Sequence, residues 1–188
     1  MTSTGGLKAS AFSGRLPAWP RILAVYAVVV LIVYSWTILW FLWKAPSWLF
    51  FLSSGEILIV LAYSLATNLA ESLVVLCAPL VLALALPKKW FSDVFVARGA
   101  SLAIGGLGYM MFLADQFKNK SAYPALSLQA WTVALALLGI LLFVYLSGRL
   151  AVLRQILEFV ADRATIFVYV LIPLSVLSLL VVLFRLFA

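Results

Sequence analysis

Residues 22–43 run without a single charged side chain, and stretches nearly as apolar recur at 57–86, 95–114, 126–147 and 164–184. About 20 such residues suffice to cross a hydrocarbon core of about 30 Å, so each stretch is long enough to span a bilayer. Backbone groups in lipid must be paired within the segment, which makes these stretches helices; they are too long and too uniformly apolar for barrel strands. The remainder of the chain offers no alternative. With 66% hydrophobic and 10% charged residues, it has too few polar side chains to wet the surface of a soluble domain of this size.

The fold expected is therefore an all-α integral membrane protein, a bundle of five transmembrane helices occupying residues 21–188. Residues 1–20, rich in Ser, Thr, Gly and Pro, read as a flexible cytoplasmic tail. Residues 148–163 differ from the spans. Leu150, Leu153, Ile156 or Leu157, and Val160 recur at helical spacing against Arg149, Arg154, Gln155, Glu158, Asp162 and Arg163, the pattern of one interfacial amphipathic helix.

The formal net charge of +7 is distributed as membrane topology would distribute it. A cytoplasmic N-terminus puts nine Lys and Arg residues on the inner side: Lys8, Arg15, Arg21, Lys88, Lys89, Arg98, Arg149, Arg154 and Arg163. Only Lys44, Lys118, Lys120 and Arg185 fall outside. The expected localisation is a bacterial-type plasma membrane, N-terminus cytoplasmic and C-terminus outside. The tryptophans agree, with Trp40, Trp43, Trp48 and Trp131 near one interface and Trp19 and Trp90 near the other. A nucleic-acid partner is not expected, since no soluble domain is available to present a basic surface.

Cys77 is the only cysteine and has no partner for an internal disulfide. The chain contains no histidine, which removes histidine-ligated haem, histidine proton relays and the usual zinc sites from this subunit. No cofactor and no metal are expected.

Inside the second stretch, Ser64, Thr67, Asn68, Glu71 and Ser72 occupy offsets 0, 3, 4, 7 and 8, which sets all five on one helical face. A glutamate facing lipid is costly, so this face is expected to look toward other helices or water. Thirty residues make a helix of about 45 Å, longer than the hydrocarbon core. Counting back about 20 residues from Lys88 and Lys89 places Glu71 in the outer leaflet, about one turn below the interface. The third stretch brings Asp115 to the same side. Ser64, Thr67, Asn68, Glu71 and Asp115 are thus the candidate ligand-binding residues, around an outward-facing polar pocket. Two carboxylates on different helices without a nucleophile or metal motif do not form a catalytic constellation. Small residues in the third stretch, Gly99 with Ala103 and Ser101 with Gly105, allow close helix approach, within the chain ahead of a dimer seam.

Five spans with this orientation, the third ending in Phe112-Leu-Ala-Asp-Gln-Phe117, resemble the membrane anchor of lipoteichoic-acid-synthase-type enzymes. In that family a metal-bound catalytic domain follows the fifth span, and this sequence stops there. The resemblance implies an anchor working with a separate catalytic partner in an extracytoplasmic lipid-headgroup transferase. The residues themselves favour a non-catalytic integral membrane subunit or scaffold that holds a membrane-protein partner in the bilayer. A small transporter or lipid-binding permease component, with a lipid or small-molecule ligand at Glu71, is the alternative.

Overall fold

The computed structural model describes residues 17–88, 90–118 and 126–187. Most of the tail expected over 1–20 lies outside them. The described residues form five long helices and no strand: α1 (Trp19–Trp48), α2 (Ser54–Ala85), α3 (Phe95–Phe117), α4 (Leu126–Arg149) and α5 (Ala151–Phe187). All five are long and apolar enough to cross a membrane, which makes the chain a multi-pass membrane protein.

Helix α1 is the centre of the bundle. Its six consecutive residues Val25, Tyr26, Ala27, Val28, Val29 and Val30 are all buried, which requires neighbours on every side. It packs on α5, α2 and α3, and Pro20 is tolerated because its missing N–H falls in the first turn. Tyr26, Val30, Val33 and Tyr34 join Leu65 of α2 and Val168 of α5 in one cluster. Val28 meets Ala97 and Ala100 of α3 and Ala161 of α5 in a second, and Val25 meets Phe91 and Phe95 in a third.

Single polar contacts stitch these apolar interfaces. Tyr34 Oη lies 2.7 Å from Ser175 Oγ, joining α1 to α5. Tyr26 Oη lies 3.2 Å from Ser72 Oγ, joining α1 to α2. Ser101 Oγ and Ser147 Oγ are 3.0 Å apart between α3 and α4. Such bonds are favoured where no water competes, although each contributes only about 0.6 kcal/mol on average in a membrane bundle.

The separate amphipathic helix expected over 148–163 is not present as such. Only Leu150 interrupts the helical chain, and residues 151–163 are the opening turns of the 37-residue α5. No helix breaker precedes Pro173 in that helix, so once started it continues into the span. Part of the apolar face turns into the bundle: Leu157 is buried beside Ala161, Leu153 and Val160 are partly buried, and Leu150 and Ile156 stay exposed, while Arg154 and Glu158 pair at 2.8 Å on the outside.

The small residues of α3 are used within the chain. A Cβ at Gly99 would come to 2.9 Å of a Val25 methyl, and one at Gly105 to 3.1 Å of Ile140 in α4. Gly106 and Gly108 face open space. Helix α4 leans mainly on α3 and is the least buried of the five.

Candidate functional site

The site begins with the start of α2. Ser53 and Glu56 form a reciprocal capping box: Glu56 N–H donates to Ser53 Oγ at 3.4 Å, and Ser53 N–H donates to Glu56 Oε2 at 2.8 Å. This fixes where the helix starts, and hence which way the polar stripe eleven to nineteen residues further on must face.

The stripe divides lengthwise. Asn68 and Ser72 are buried against α1: Thr37 Oγ1 donates to Asn68 Oδ1 at 2.9 Å, and Ser72 Oγ donates to the Leu69 carbonyl while meeting Tyr26 Oη. Ser64 and Thr67 return their hydroxyl protons to their own helix, to the Val60 carbonyl at 2.9 Å and the Tyr63 carbonyl at 3.0 Å. Each keeps oxygen lone pairs for another donor. Glu71 is exposed, and among the described residues no hydrogen bond or ion pair reaches its carboxylate.

Ser64, Thr67, Asn68 and Glu71 line one cavity of about 610 Å³, closed on the other side by Trp36 and Thr37 of α1 and flanked by Val60 and Tyr63. Asn68 Nδ2 is buried there without an acceptor among the described residues, an amide with two unused protons. Trp36, Thr37 and Ser64 also line a second cavity of about 320 Å³, reaching Trp40, Trp48 and Lys44. Cations gather at that end. Lys118 Nζ stands 5.1 Å and Lys44 Nζ 6.0 Å from the Trp40 ring centroid, within cation–π range.

Asp115 does not line the Glu71 cavity. It pairs with Lys118 one turn along its own helix, and both are solvent-accessible. The structure thus brings four of the five candidate residues together and sets the fifth apart, so Glu71 and Asp115 share no reaction centre. Two lining residues, Trp36 and Thr37, escape a reading of the α2 stripe because they come from α1. Their signal in the sequence is the Ser35-Trp36-Thr37 interruption within an otherwise apolar span. Among the described residues no three His, Cys, Asp or Glu side chains cluster in a way that would hold a metal ion.

The chemistry available is recognition: one carboxylate acceptor, one amide donor pair and two aromatic faces. Comparison with protein-family models, curated proteins and solved structures finds no match. The likeness to lipoteichoic-acid-synthase-type anchors therefore rests on span order and on residues 112–117 alone.

Proposed function

We propose that this chain is a non-catalytic integral membrane subunit that holds a second membrane protein in the bilayer, with the Glu71 groove as the point of attachment. One observation carries this reading. Glu71 is the eighteenth of the 32 residues of α2, exposed on the wall of a span, and lacks any partner among the described residues. A carboxylate at such a position is expensive unless a group from outside the chain meets it. A basic or hydrogen-bond-donating side chain on a neighbouring helix supplies that group, and Trp36 and Tyr63 give its apolar stem a surface to lie on.

A second reading is supported by Asn68 Nδ2. A buried amide donor without an acceptor among the described residues, in a cavity of about 610 Å³ within the range of small-molecule sites, suits a lipid or small amphiphile with an oxygen acceptor for Nδ2 and a cationic group for Glu71, as in a permease component. In either case the nine-to-four distribution of Lys and Arg favours an N-in, C-out orientation.

A photo-reactive amino acid at the exposed Thr67, activated in native membranes, separates the two. The scaffold reading expects one protein adduct of fixed stoichiometry, lost in Glu71→Gln while thermal stability is kept. Lipid adducts alone, sensitive to Glu71→Gln, transfer the site to the second reading. Adducts indifferent to Glu71→Gln remove Glu71 from either role.

A further inference from the structure

At the opposite end of the bundle from Lys44 and Lys118, Arg98 sits in the first turn of α3 and is only 8% exposed. Its Nε and Nη1 are buried with no hydrogen-bond partner, and no carboxylate among the described residues comes within ion-pair distance of it. A guanidinium does not shed its proton in a protein. A buried charge without a counter-charge is strongly unfavourable, and an acceptor from outside the described residues relieves that cost.

The surroundings define that acceptor. Arg98 forms part of the wall of a cavity of about 450 Å³ that is otherwise lined by apolar and aromatic side chains, among them Leu102, Leu138, Leu141 and Leu142. The last three are also exposed on α4, so the cavity opens onto the apolar outer surface of the bundle. Trp90 stands at its mouth, half-exposed, with the Arg98 guanidinium 5.4 Å from its ring centroid. The other polar side-chain atoms among its lining residues are the Trp90 indole N–H and the Tyr145 hydroxyl, and neither accepts from the guanidinium. Gly148 shows how closely the guanidinium is fitted: a Cβ there would overlap Nη2, Nε and Cζ of Arg98. Further cations flank the site. Arg149 lies 5.5 Å from the Tyr145 ring, which lines the same cavity, and Arg21 donates to the Ser92 carbonyl at 3.4 Å in the connector that also carries Lys88.

We infer that this cavity is a binding site for an anionic phospholipid, with the phosphate diester on Arg98 and an acyl chain along Leu138, Leu141 and Leu142. An arginine and a phosphate form strong charge-assisted hydrogen bonds, and surrounding basic residues raise the local concentration of anionic lipid. The site is separate from the Glu71 groove and does not depend on its function.

The test uses full-length protein in neutral detergent, titrated with phosphatidylglycerol, phosphatidylcholine or inorganic phosphate while thermal stability is followed. Phosphatidylglycerol is expected to raise the Tm of the native protein, and the other two to leave it unchanged. Arg98→Gln should weaken the phosphatidylglycerol response about tenfold or more, the loss expected for a hydrogen bond to a charged group. Leu141→Trp, at an exposed position, fills the cavity and should weaken the response while keeping Arg98. It carries the test even if Arg98→Gln does not fold. An equal response to phosphatidylcholine removes the anionic headgroup from the site. An equal response to phosphate removes the acyl chain. No response in the native protein, or an undiminished one in Leu141→Trp, overturns the inference.

Discussion

At Asn68 one amide group meets two different situations: Oδ1 accepts from Thr37, while Nδ2 is buried with nothing to donate to. Thr37→Val would leave Oδ1 unpaired too, and is expected to cost about 0.5–1.5 kcal/mol. Asn68→Leu should cost less, because it removes the orphaned donor, and Thr37 can return its proton to its own helix. Reversible unfolding in mixed detergent, with both variants side by side, checks the order. Asn68 also shows how far the site is legible in the sequence. Helical spacing alone sets the five stripe residues on one face, but at 100° per residue that face is about 140° wide, with Ser72 at one margin and Thr67 at the other. The flank of Asn68 and Ser72 meets α1 and is buried; Glu71 and Thr67 fall past the edge of the contact and stay exposed. Periodicity says which residues share a face, and only the neighbouring helix decides where the face is cut. Arg98 is less legible still. Its burial is created by Gly148, fifty positions later, and no local pattern announces it.

Among the elements, α3 depends on glycine at some positions and not at others, and substitution should expose the difference. Gly99→Ala pushes a methyl against Val25 at the crossing of α3 and α1, close to the buried Pro79 of α2, and is expected to destabilise by about 1–3 kcal/mol as an overpacked core does. Gly108→Ala meets open space and should be neutral or stabilising, by up to about 1 kcal/mol of helix propensity. Gly148→Ala belongs with the first. Because its clash is with the Arg98 side chain, the double change Gly148→Ala/Arg98→Ala should be more stable than Gly148→Ala alone, a non-additivity that a double-mutant cycle measures. The number and approximate extent of the spans were legible from apolar run length, since the five stretches and the five helices coincide to within a few residues at most of their ends. The start of α5 was not. Amphipathic periodicity over 148–163 marks a helix with one apolar face, and bundle packing and bilayer packing require the same pattern. The bundle recruits Leu157 and Ala161, while Leu150 and Ile156 stay on its surface.

Across the whole molecule, the charges sort by end. Arg21, Arg98 and Arg149 belong to one end, where Arg21 reaches Ser92 and Arg98 lies against Gly148. Lys44 and Lys118 meet over Trp40 at the other, with Glu56 and Arg185 within electrostatic reach of each other. If the arginine-rich end is cytoplasmic, as we propose, then in a Cys77→Ser background Ser53→Cys should react with an impermeant thiol reagent in intact cells. Asp93→Cys should react only after permeabilisation; the reverse pattern would invert the orientation. The contact between Tyr34 and Ser175 bears on biogenesis. It spans 141 positions of sequence, and α1 leaves the ribosome well before the α5 residues that cover it. Until α5 has been synthesised, the Tyr34 hydroxyl lacks its Ser175 partner. A chaperone or quality-control protease that recognises unshielded polar groups in the membrane has that interval in which to act. Replacing Tyr34 by Phe removes that polar group, so pulse-chase is expected to show a longer half-life for chains truncated before α5, while the finished protein loses the Ser175 bond and becomes less stable.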